Sequence, residues 1–124
     1  MEVEVIDFAP IGSDERGVTK KFSIKDYGQF VFLTRKAGSI SGNTYHEGKN
    51  IGTKEKTFVL ISGKVKLLYR LHGTSEIKEQ IIDEHKVIKV FPNVVHKMEA
   101  LTDIIILENN SIEDIANDCI REAV

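Results

Sequence analysis

The chain has a single cysteine, no apolar run long enough to cross a bilayer and no large surplus of either charge, and each lack removes a class of function. Cys119 alone permits no internal disulfide, which fits a reducing compartment. Its place in a helical apolar pattern points to packing rather than to a reactive thiol. No stretch approaches the roughly 20 apolar residues of a membrane helix. The segment "MEVEVIDFAP" alternates acidic and apolar residues where a secretory signal needs a basic start and an unbroken apolar run. The expectation is a soluble cytoplasmic protein with no membrane partner. Lys and Arg number 17 against 19 Asp and Glu, so no large electrostatic term drives binding to nucleic acid. Neither a phosphate-binding loop nor a dinucleotide fingerprint is present, which argues against ATP and NAD as cofactors.

With 124 residues, 41% of them hydrophobic, there is material for one core, and a single domain over residues 1–124 is expected. From about residue 2 to 108 the apolar pattern is that of strands: "VEVIDF", "VTKKFSI", "QFVFLTR", "KTFVLIS", "KVKLLYRL", "EIKEQIID", "KVIKVF" and "DIIILE". They are short, rich in β-branched and aromatic residues, and separated by Gly, Asn, Asp and Pro at the spacing of a sandwich or barrel. The continuous runs "FVLI" and "IIIL" predict strands buried on both faces at the centre of the body. "RLHGTSEI" carries a glycine between alternating strands and reads as a hairpin. After Glu108 the period changes. Ile112, Ile115, Ala116, Cys119, Ile120 and Ala123 recur at helical spacing, and Ser111 with Asp114 resembles a capping box, so a C-terminal helix is expected over about 111–123.

Three segments carry candidate chemistry: a glycine-flanked polar strand with His46 ("SGNTYHEGKN"), an apolar strand ending in "FVLISGKV", and a proline turn followed by His96 ("PNVVH"). In order and spacing they resemble the cupins, and more narrowly the sugar-nucleotide branch of deoxysugar 3,5-epimerases, 3,4-ketoisomerases and capsular polysaccharide cupin domains. "SDERGVTKKF" (Ser13 to Phe22) is similar to a segment following the first strand in the same enzymes. The resemblance covers about residues 6–108. It implies an all-β jelly-roll barrel, here with a short C-terminal helix, and a pocket for a nucleotide-linked sugar.

Two positions depart from the cupin metal pattern. Thr44 stands where the first histidine is expected, and an ungapped alignment of "SGKV" puts Lys56 at the glutamate position. Glu55 supplies a carboxylate only if the register slips by one, because neighbouring strand residues face opposite ways. A divalent site generally wants three or four donors. The expectation is therefore no bound cofactor, with a divalent metal on His46, His96 and Glu55 (or Glu47) as the alternative.

Moving a proton beside a sugar ketone needs a base, a cation or donor for the enolate oxygen, and an acid. His46 and His96 are the candidates for base and acid, Lys56 for the oxyanion and Tyr69 for a second acid. The resemblance and the planar fork of arginine nominate Arg16, Arg35 and Arg70 for the phosphates, with Asn43 and Thr44 beside His46 as further substrate contacts. His72 and His85 fall in turns and are excluded. The function so implied is epimerisation or ketoisomerisation of a nucleotide sugar. A metal-dependent cupin isomerase or dioxygenase and a non-catalytic ligand-binding cupin are the other readings. A homodimer is expected from the N-terminal edge strand and the apolar helix face.

Overall fold

Alternation of apolar and polar side chains from residue 3 to 109 gives strands with one face to spare, and two such sheets bury those faces against each other. The computed structural model describes residues 1–24, 29–109 and 112–124. Its strands are β1 (Val3–Asp7), β2 (Ala9–Asp14), β3 (Gly17–Lys21), β4 (Phe30–Arg35), β5 (Ile40–Tyr45), β6 (Lys56–Ser62), β7 (Lys64–Leu71), β8 (Lys78–Asp83), β9 (Lys86–Val90), β10 (Val94–Ala100), β11 (Ile104–Asn109) and β12 (Ile120–Arg121). The described residues also form two short helices, α1 (Ile51–Lys54) and α2 (Ile112–Asn117). One sheet runs β1-β9-β6-β11-β4, the other β12-β5-β10-β7-β8, and β2 with β3 forms a separate hairpin. Every pairing is antiparallel.

Both apolar runs lie in the interior of their sheet, but only one is buried on both faces, since Ile105 and Leu107 on the outer face of β11 are half-buried. "FVLI" belongs to β6 at the middle of its sheet, and "IIIL" to β11 beside it. On β6 both faces are buried: Phe58 and Leu60 enter the core, while Thr57 and Val59 are buried on the opposite side. Leu67, Val94, Met98 and Ala100 meet them from the facing sheet. The hairpin expected at "RLHGTSEI" joins β7 to β8.

Glycine is required at one place that matters to the site. Where β5 pairs with β10 the register shifts between His96 and Lys97, leaving Asn43 as the extra residue, and both Gly42 (φ 106°) and Asn43 (φ 59°) take positive φ. A Cβ on Gly42 would lie 2.8 Å from the His96 carbonyl oxygen. The bulge therefore needs glycine both for its conformation and for the close approach of the two strands.

The C-terminal helix is shorter than its periodicity predicts. It ends at Asn117, and Ile120 and Arg121 instead pair with Tyr45 and Thr44 as strand β12. The reason lies in Asp118, whose carboxylate and carbonyl are claimed by groups around His46, so the side chain competes with further helix. Ser111, expected to cap this helix, lies outside the described residues.

Candidate active site

Between the sheets, toward the β4 and β5 edge, the side chains leave a cavity of about 230 Å³. Its walls are apolar along Leu33, Phe58, Met98 and Ile106, and Ile115 and Cys119 of the C-terminal segment close part of it. The polar groups that converge on it are His46, His96, Lys56, Glu108 and Thr44, with Arg35, Ser39 and Ser41.

His46 and Thr44 reach it together because they lie two residues apart, whereas Tyr45 points to the other face and stacks on His72 at 4.4 Å. The proline turn is fastened to the same place, since the Asn93 N–H donates to the His46 carbonyl at 2.7 Å and so brings β10 and His96 alongside. The two imidazoles are 5.7 Å apart, centre to centre. Each is oriented by a backbone carbonyl. His46 Nδ1 meets the Asp118 oxygen, and His96 Nδ1 the Val94 oxygen at 3.0 Å. A carbonyl only accepts, so both rings carry their hydrogen on Nδ1 and keep a lone pair on Nε2. Desolvation lowers the pKa of both, that of His96 to about 4. Both are therefore neutral near neutral pH, the state in which they accept a proton.

Register alone left Lys56 and Glu55 equivalent; the structure separates them. Lys56 is 1% exposed and turns into the cavity, donating to the Asn109 carbonyl at 3.1 Å, with the Glu108 carboxylate 3.6 Å away and the Phe58 ring 5.4 Å away. Burial pushes its pKa down while Glu108 pulls it up. Glu55 faces the outside of the sheet, where it pairs with Lys89 at 2.6 Å. The donor set does not fit a divalent ion. Glu55 is turned away, an ammonium occupies the position of the expected carboxylate, and the described residues contain no group of three metal-binding side chains.

The remaining residues proposed from the sequence divide clearly. Thr44 and Arg35 line the cavity, Arg35 through Nε to Ser41 Oγ at 3.3 Å. Tyr69 does not line it; its hydroxyl accepts from Gln80 at 3.0 Å. Asn43 and Arg70 hold the C-terminal tail rather than the cavity, Asn43 Oδ1 accepting from the Val124 N–H and Arg70 donating to Glu122 at 2.8 Å and to the Ala123 carbonyl. Arg16 sits at the tip of the β2–β3 hairpin, forked onto Asp14 and exposed. Glu108 and Asp118 were missed. Glu108 shares the parity of Ile104 and Ile106 on a strand whose face is internal, which is the signal that marks it.

Neither a protein-family model nor any curated protein matches the chain. Solved structures do. A mutant of the 3,4-ketoisomerase QdtA of Thermoanaerobacterium thermosaccharolyticum, in complex with TDP-4-keto-6-deoxyglucose, is 18% identical with a TM-score of 0.74, over 98% of this chain and 88% of that one. The fold is a cupin-type barrel. The dTDP-4-dehydrorhamnose 3,5-epimerase of Sulfolobus tokodaii matches with TM-score 0.63 and 17% identity over 92% of this chain and 80% of that one. The capsular polysaccharide assembling protein CapF of Staphylococcus aureus matches over 95% of this chain but 34% of its own length, with TM-score 0.66 and 24% identity. At such identities the likeness is one of fold, and function rests on the side chains of the cavity.

Proposed function

We propose that this cupin binds a nucleotide-linked 4-keto-6-deoxy sugar and moves a proton beside its ketone, as an epimerase or ketoisomerase of deoxysugar or polysaccharide biosynthesis. The observation that carries the reading is the convergence of two neutral imidazoles and one buried ammonium in a single cavity. His46 takes the proton on Nε2 from the carbon next to the carbonyl. Charge then develops on the carbonyl oxygen, where the Lys56 ammonium stabilises it. For a ketoisomerase the imidazolium so formed returns the proton to the neighbouring carbon, while His96 Nε2 takes the proton of the adjoining hydroxyl and passes it to the former carbonyl oxygen. For an epimerase the proton returns from the opposite face, from His96 after it has taken a proton from solvent. Arg35, Ser39 and Ser41 at the rim suit the diphosphate, and Thr44 the sugar. No metal and no organic cofactor is needed for this chemistry. The protein fold bound to TDP-4-keto-6-deoxyglucose in QdtA makes that ligand class the first to try.

A cytoplasmic homodimer completes the reading. All residues of β2 and β3 are exposed, with Ile11 and Val18 more than half so, and a lone two-stranded hairpin is marginal in water. A second copy packing on this arm accounts for both facts, and would bring Arg16 to a neighbouring cavity. The test is solvent deuterium incorporation into a panel of dTDP- and UDP-linked 4-keto-6-deoxy sugars after chelation. Exchange lost in His46→Ala and in Lys56→Met, both still folded, supports the reading. Absence of exchange with every sugar, or exchange restored only by an added metal, overturns it.

A further inference from the structure

The C-terminal segment does more than cover the barrel. Asp118, 2% exposed, sends its carboxylate into the loop that follows His46. There it accepts from three successive backbone groups, the N–H of Glu47 (2.8 Å), Gly48 (2.9 Å) and Lys49 (2.8 Å), and from the Thr53 hydroxyl. The peptide oxygen of the same residue receives the Nδ1–H of His46. One residue thus fixes both the chain leaving His46 and the ring itself.

We propose that Asp118 is a positioning residue that sets the tautomer and orientation of His46, making the α2–β12 segment a built part of the active site. This deepens the proton-transfer reading and rests on it for its kinetic consequence, although the tautomer itself is observable without any substrate.

The argument is one of donors and acceptors. Three N–H groups converging on one point form a concave anion-binding site, and an ionised carboxylate with two oxygens satisfies it. Desolvation works against that charge, but the Thr53 hydroxyl and the three N–H groups outweigh it and hold the carboxyl at about 2. An amide in its place turns an NH2 group toward donors and loses an acceptor. The loop and the Asp118 peptide then part, the His46 Nδ1–H loses its partner, and the alternative Nε2–H tautomer, which has no lone pair toward the cavity, becomes accessible. His96 is the internal reference, because its Nδ1–H is held by Val94 of its own strand.

The experiment is Asp118→Asn in the full chain, followed by NMR of isotope-labelled histidine ring nitrogens and by the deuterium-exchange assay. The expected result is loss of the fixed Nδ1–H tautomer at His46 with His96 unchanged. In the same variant kcat should fall about ten- to a hundred-fold while KM moves by less than about threefold. Thr53→Val, which removes one donor and keeps the carboxylate, should show the same signature more weakly, and carries the test should Asp118→Asn not fold. A His46 tautomer unchanged in the folded variant, or a change at His46 and His96 alike, overturns the proposal. A parent protein that exchanges no sugar overturns the proton-transfer reading instead and leaves the tautomer result to judge Asp118.

Discussion

Replacing His96 by Asn should remove most of one identifiable component of acid sensitivity, and its size follows from the burial of the ring. His96 is fully enclosed between β5, β7 and the cavity, with its pKa lowered from 6.5 to about 4, chiefly by desolvation. A group whose folded pKa lies below its unfolded value contributes nothing at high pH, where both states are neutral. As pH falls below the unfolded value, the unfolded chain binds the proton first and stability drops until the folded pKa is reached. Integrating between those two values, the protein loses about 2 kcal/mol between about pH 7.5 and about pH 5 from His96 alone. His46, also shifted down by desolvation, acts in the same direction. The assay is urea unfolding of parent and His96→Asn at both pH values, comparing the change within each protein so that any constant cost of the substitution cancels. The parent should lose about 2 kcal/mol more than the variant. Equal losses would refute the claim that His96 is held neutral by burial.

Other outcomes follow from single contacts. Gly42→Ala, with φ at 106° and the new Cβ 2.8 Å from the His96 carbonyl, should cost about 1–3 kcal/mol in thermal or urea unfolding. Glu108→Gln removes the charge that opposes the desolvation of Lys56, so its ammonium deprotonates at lower pH; the basic limb of the exchange-rate profile should move to lower pH with the acidic limb in place. Arg70→Ala should loosen the tail through Glu122 and Ala123, read as faster amide exchange at β12, while the KM for a nucleotide sugar stays within about twofold.

Much of the fold was legible because period-two alternation records which face of a strand is buried. The runs "FVLI" and "IIIL" marked β6 and β11 in the interior of their sheet, and the parity of Thr44 and His46 set both against the cavity with Tyr45 behind. The same rule left Lys56 and Glu55 open, since it fixes that they oppose each other and not which is inside. The decision comes from Lys89 on the neighbouring strand β9, which offers Glu55 a partner outside, and from Glu108 on β11, which offers Lys56 one inside. Both are contacts distant in sequence. Asn43 was misplaced because the bulge at Gly42 inserts it into the strand, and Arg70 because its long side chain reaches the tail instead of the barrel mouth. The C-terminal segment failed for a different reason. Its apolar period continues to Ala123, but an acidic residue near the C-terminal end of a helix opposes the dipole, and at Asp118 that local conflict marks where tertiary hydrogen bonds outweigh helical propensity. The residue that breaks the helical rule is the one that grips the loop of His46, so the departure from local consistency itself points to the active site.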